Sequence, residues 1–124
     1  MFIVNPDKSV YLTRGDIAVL EVTSKVNQTE DYIFQVGDVL RFTVMQAGKC
    51  DQVVLRKDVE ITEETYVATV SLESTDTKVG ELIHKPKDFW YEVELNPDTM
   101  PQTLIGYDKD GPKIFRLYPE GADS

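Results

Sequence analysis

The sequence predicts an all-β domain: an antiparallel β-sandwich, Ig-like or jelly-roll-like, of seven to nine short strands. Three observations carry this expectation. The first is a repeated phrase, RGDIAVLEV at Arg14–Val22 and VGDVLRFTV at Val36–Val44, each a Gly-Asp turn opening into an alternating apolar strand. Gly15 and Gly37 are free to take the positive φ of a tight turn, and Asp16 and Asp38 can bond that turn's own backbone. The second is spacing, since short strand-like runs recur roughly every 8–12 residues with turn residues between them. The third is that no convincing amphipathic helix appears.

The elements follow in order. Phe2–Val4 is a short apolar run cut off by Asn5-Pro6-Asp7, so residues 1–9 read as an N-terminal strand or arm. Val10–Thr13 is a second strand leading into Arg14-Gly15-Asp16. Ile17–Lys25 is a longer strand, with Ala18, Leu20 and Val22 pointing one way. Val26–Asp31 is polar and loop-like, and Tyr32-Ile33-Phe34 is a brief extended piece. Val39–Met45 directs Leu40, Phe42 and Val44 to one side. Ala47–Gln52 reads as a hairpin into Val53–Val59, where Val53, Leu55 and Val59 share a face with Lys57.

Thr65–Leu72 alternates again, with Tyr66, Ala68, Val70 and Leu72 inward. Glu73–Lys78 has room for one helical turn. Asp88–Leu95 is the clearest strand, bounded by Pro86 and by Asn96-Pro97. After a turn-rich connection, Gln102–Tyr107 and Lys113–Tyr118 flank Asp108–Gly111, and Asp-Gly between apolar runs signals a hairpin. Residues 119–124 read as a frayed tail. The expected core is Leu20, Val22, Leu40, Phe42, Val70 and Leu72, with Phe115 or Leu117.

Length and charge bound the function. A chain of 124 residues is one domain with a single modest core. Its formal net charge of −9 argues against nucleic acid and against an anionic membrane surface, because both need a basic footprint. No apolar run is long enough for a transmembrane helix, and the start lacks the basic n-region of a secretory signal. Cys50 is the single cysteine, so no intrachain disulfide is expected. Lys49 and Asp51 oppose one another in their effect on it, and the thiol reads as incidental.

No catalytic constellation is expected. His84 is the sole histidine and has no nucleophile or acid at a recognisable spacing. Asp108, Asp110 and Gly111 resemble the start of a calcium loop, but position 119 is Pro where that loop needs Glu, so a hairpin turn is the better reading. Neither a cofactor nor a metal is expected. Arg14-Gly15-Asp16 spells an adhesion tripeptide, yet its Gly-Asp is already explained as a turn.

Contact residues remain. If Phe89, Tyr91, Val93 and Leu95 face the core, Trp90 shares the other face with Glu92 and Glu94; the reversed phase would bury Trp90 instead. A large aromatic on a polar face is enriched at interfaces. Trp90, Tyr32, Tyr107, Phe2 and Ile3 are the interface candidates, the last two because an uncharged edge run invites pairing with a neighbour. A homo-oligomer is one outcome of such contacts.

The succession VYLTRGDIAVLEV, YIFQVGDVLRFTV, VVLRKDV, VATVSLESTDTKVGEL and FWYEVEL resembles the N-terminal domain of phage baseplate upper proteins of Gram-positive siphophages and prophages. The resemblance covers about Val10–Leu117. It implies a β-sandwich with a structural role at the tail tip of a virion, contacting other tail or baseplate proteins, and it supplies no catalytic residues. Those proteins usually continue into a helical linker or second domain, whereas this sequence stops at Ser124. The competing expectation is a carbohydrate-binding β-sandwich module that uses exposed aromatics.

Overall fold

A computed structural model describes residues 1–26, 29–78 and 83–120. The domain is all-β, apart from one helical turn. In chain order the elements are β1 (Phe2–Val4), β2 (Val10–Thr13), β3 (Ala18–Val22), β4 (Lys25–Val26), β5 (Glu30–Asp31), β6 (Val39–Gln46), β7 (Lys49–Glu60) and β8 (Ala68–Leu72). They continue with α1 (Ser74–Thr77), β9 (Lys87–Leu95), β10 (Gln102–Ile105) and β11 (Ile114–Tyr118). The helical turn falls within the segment expected for it, and Asp76 closes it by accepting from the Glu73 amide at 2.9 Å.

Seven strands form one sheet in the order β1-β2-β11-β9-β6-β7, with β10 also on β9. β3 and β8 make a separate two-stranded ribbon, and β4 and β5 a smaller one. The ribbon turns Ala18, Leu20 and Val22 and their partners Leu72, Val70 and Ala68 inward. They join the same apolar cluster as Leu40, Phe42, Val44, Phe89, Tyr91, Val93, Phe115 and Leu117. Every expected core residue is buried, and both Phe115 and Leu117 are fully so.

The large sheet is mixed, which corrects the all-antiparallel expectation. β11 runs parallel to β2, with Phe115 opposite Val10 and Leu117 opposite Leu12. Parallel neighbours are joined only by a long connection, and most of the chain lies between these two. Alternation along a strand reports which way a side chain points, and it is silent on strand direction.

The hairpin expected around Asp108–Gly111 is also different. β10 and β11 do not pair with each other. Both lie antiparallel along the same edge of β9, Gln102 opposite Leu95 and Ile114 opposite Trp90. They are two halves of one interrupted strand, and residues 106–113 leave it as a loop. The Asp-Gly signal is real but local: Asp108 and Gly111 exchange backbone bonds at 3.2 and 2.9 Å. Lys113 closes the loop's base on Asp108 at 2.9 Å.

One apolar residue expected inward is displaced, and two expected strands are altered. β8 begins at Ala68, so Tyr66 precedes the strand and is exposed. Val53 is exposed because β7 slips against β6: Val44 stands opposite Leu55, but Met45 stands opposite Val53, leaving Val54 as an extra residue. Ile17 sits before β3 and is exposed, and the long strand expected over Ile17–Lys25 stops at Val22. Beyond it, β4 and β5 replace an expected loop, clipped by Lys25 and Asp31 at 2.6 Å.

The N-terminal run pairs within the chain, as β1 on β2. At the other end, Glu120 meets Arg14 at 2.8 Å, and the remainder of the expected tail lies outside the described residues.

Candidate contact face

The outward face of β9 decides what the large sheet presents. Phe89, Tyr91, Val93 and Leu95 are buried, so period two turns Asp88, Trp90, Glu92 and Glu94 outward, and the first of the two phases for Trp90 is the one adopted. Strand register then extends this face sideways. Asp88 lies beside Arg116, Arg116 beside Tyr11, and Tyr11 beside Ile3. Trp90 lies between Ile114 and Met45, and Glu92 lies beside Thr43, which in turn faces Arg56. Glu94 lies between Thr103 and Arg41, with Asp58 beyond.

Two aromatic groups stand on it. Trp90 is half-buried and meets the ring of Tyr107 edge-on, with centroids 5.8 Å apart and planes at 65°. Tyr107 comes from the loop that interrupts the β10–β11 strand and is 71% exposed. At the other end Tyr11 and Tyr118 meet edge-on at 5.9 Å, and the Arg116 guanidinium sits 5.0 Å over the Tyr11 ring.

Charge on this face is held in place. Arg116 grips Asp88 through Nε at 2.6 Å and Nη2 at 3.1 Å, a two-point contact. Arg41 binds Asp58 the same way at 2.8 and 3.0 Å and reaches Asp98 at 3.2 Å. The hydrogen bond from Arg41 holds the Asp58 carboxyl below its ordinary range. Glu92 is shifted the opposite way: burial raises it, and the neighbouring Glu94 charge raises it further, against a smaller pull from Arg56. The face therefore carries two-point guanidinium–carboxylate pairs beside ring surfaces and a carboxyl that gives up its proton reluctantly.

Of the five interface candidates, the structure brings Trp90 and Tyr107 into contact and places Ile3, 45% exposed, on the same face at its far end. It does not bring Phe2 or Tyr32 there. Phe2 pairs with Leu12 and packs against the core. Tyr32 also packs against the core, edge-on to Phe34 at 5.3 Å, and its hydroxyl donates to Asp38 at 2.8 Å. Burial and the adjacent Asp38 carboxylate push the Tyr32 hydroxyl up.

Tyr11, Ile114 and Arg116 belong to the face and were not singled out. The signal was present: in Val10–Thr13 and Ile114–Tyr118 the same alternation that buries Val10, Leu12, Phe115 and Leu117 turns these three outward. What the sequence lacked was the adjacency of β2 and β11.

In the adhesion-like tripeptide, Arg14 is paired with Glu120, and the Asp16 carboxylate takes the Met1 amino nitrogen. Cys50 is exposed. Among the described residues no group of three His, Cys, Asp or Glu side chains is placed to hold a metal ion. A cleft of about 340 Å³ lies between Lys8 of the β1–β2 turn and the Thr103–Asp108 segment, with Lys113 at its base already paired to Asp108. No family model, curated protein or solved structure matches this chain.

Proposed function

We propose that this chain is a non-enzymatic structural component of a phage or prophage tail or baseplate, acting by protein–protein contact through the outward face of the seven-stranded sheet. The observation that carries the reading is the Trp90–Tyr107 pair set among the Arg116–Asp88 and Arg41–Asp58 pairs. Interfaces concentrate Trp, Tyr and Arg, and orienting the guanidinium groups beforehand lowers the entropy cost of docking. The order and spacing of motifs over Val10–Leu117 supply the tail assignment. In this reading the fold is a β-sandwich, with the β3–β8 ribbon as the second layer. The partners are other tail or baseplate proteins, neither nucleic acid nor membrane, and the chain resides at the virion tail tip after synthesis in the host cytoplasm.

Particles purified from a strain carrying the gene test this directly. The chain is expected in the tail fraction, and a folded Trp90→Ala, Tyr107→Ala variant is expected to be missing from it. Particles that lack the wild-type chain would sink the assignment.

A second reading is favoured by one observation: Trp90 and exposed Tyr107 stand beside the carboxyls of Glu92 and Glu94. Aromatic rings stack on sugar faces and carboxylates accept sugar hydroxyls, so a carbohydrate-binding module would use the same place. A glycan-array signal abolished by Trp90→Ala would move the assignment to this class.

A further inference from the structure

Glu92 and Glu94 follow Trp90 on the outward face of β9, about 7 Å apart along the strand. Elsewhere on that face Arg116 takes Asp88, and Arg41 takes Asp58 and Asp98. Arg41 stands beside Glu94 in register, yet its guanidinium is bound to those two aspartates. Among the described residues, neither Glu92 nor Glu94 forms an ion pair. Arg56 lies two strands from Glu92, beyond Thr43. Its pull on that carboxyl is smaller than the push from Glu94.

The aromatic rings border these carboxyls. A Cβ on buried Gly106 would come 3.7 Å from the Glu92 Cβ, so the backbone that delivers Tyr107 passes close beside Glu92. Tyr107 then meets Trp90 edge-on, and Trp90 shares the Glu92 side of the strand. Two acidic side chains and two rings thus surround one patch.

Such a patch suits one kind of guest. Neighbouring carboxylates repel, and a cation between them relieves the repulsion. A planar guanidinium does so with two parallel hydrogen bonds while lying against an aromatic ring, which a compact ammonium does less well. The same face shows that geometry once within the chain, where Arg116 grips Asp88 at two points and sits 5.0 Å over the Tyr11 ring. A second copy is a poor source of the guest, because two molecules of net charge −9 repel.

We propose that the Trp90–Tyr107 patch receives an arginine side chain of a basic partner protein, its guanidinium bridging Glu92 and Glu94 against the two rings. This deepens the reading of the face as a protein-contact surface and rests on it. It is independent of the tail assignment.

Trp90 is the sole tryptophan, so its fluorescence reports on the patch. The full chain is titrated with a blocked glycine–arginine–glycine peptide, and with the same peptide carrying citrulline or lysine in place of arginine. The arginine peptide is expected to give a saturable change with a Kd on the order of millimolar. Citrulline, which keeps the shape and loses the charge, should bind about tenfold more weakly or worse, and lysine should also bind more weakly. The combined Glu92→Gln, Glu94→Gln variant should lose about tenfold or more, and Tyr107→Ala, at an exposed position, should weaken binding as well. Circular dichroism of each variant checks that folding is retained.

No saturable change with the wild type overturns the proposal. So does a citrulline or lysine peptide that binds as tightly as arginine, or a double variant that binds like the wild type. A wild type that dimerises in sedimentation and is made monomeric by Trp90→Ala overturns it too, since a second copy then fills the patch. Particles that retain the Glu92→Gln, Glu94→Gln chain but lose the Trp90→Ala, Tyr107→Ala chain would remove the arginine contact alone. Particles that lack the wild-type chain would remove the tail assignment and leave the peptide result in force.

Discussion

The two Gly-Asp turns are nearly the same phrase, and the protein loads them differently. Both glycines are left-handed, with φ +88° at Gly15 and +95° at Gly37. Both Asp amides donate back across the turn at 3.0 Å, Asp16 to Thr13 and Asp38 to Gln35. The carboxylates then diverge. Asp38 accepts from the Gln35 amide at 2.9 Å, the Tyr32 hydroxyl at 2.8 Å and the Asn96 side chain at 3.1 Å. Asn96 in turn accepts from the Val39 amide at 2.9 Å. Segments distant in sequence are thus tied to one side chain at the mouth of β6.

Among the described residues, the Asp16 carboxylate holds only the Met1 amino nitrogen, and its turn is anchored by other groups. Thr77, fully buried, donates to the Asp16 carbonyl at 2.7 Å, and Arg14 reaches Glu120 at 2.8 Å. A local turn signal therefore specifies backbone shape, while the work of its side chain depends on what the fold delivers beside it.

The hardest test of that contrast is Asp38→Ala. It leaves a hydroxyl, an amide and a backbone N–H without their acceptor, and stability should fall by about 2–3 kcal/mol in urea denaturation at neutral pH. A loss no larger than that of Asp16→Ala would break the comparison.

The same contact titrates. Hydrogen bonds from Gln35, Tyr32 and Asn96 outweigh burial and hold the Asp38 carboxyl below its ordinary value. Its contribution is therefore present above the unfolded value of about 3.9 and is lost as pH falls through the lower folded one. Denaturation of wild type and Asp38→Asn should converge across that acid window.

The shared part of the phrase predicts shared costs. Gly15→Ala and Gly37→Ala should each destabilise by about 1 kcal/mol, because a Cβ strains either left-handed residue. A methyl at Gly37 meets nothing within 4 Å, and one at Gly15 meets the end of the flexible Lys78 side chain at 3.0 Å, which can move. Thermal melts that separate the two glycines widely would show that the turns are not equivalent even in backbone.

The smallest effect belongs to Asp16→Ala. Its carboxylate is partly exposed and, among the described residues, makes one ion pair, so the change should stay within about 0.5 kcal/mol. A larger loss would mean that the first turn carries load through its side chain after all.

What the sequence determined by itself is what depends on neighbours along the chain. Gly15 and Gly37 declared the turns, Asp108–Gly111 declared a tight reversal, and alternation in Asp88–Leu95 sorted Phe89, Tyr91, Val93 and Leu95 from Trp90, Glu92 and Glu94. Those are torsional preferences and a period of two, both local. The candidate face was legible one strand at a time, in Trp90 and Tyr107 but not in Tyr11 or Arg116. Only tertiary structure set β11 parallel to β2, split one edge of β9 between β10 and β11, and slipped Val53 outward at Val54. Backbone hydrogen bonds between strands are the same for almost every side chain, so the pairing of distant segments follows from how all the buried faces fill one core together.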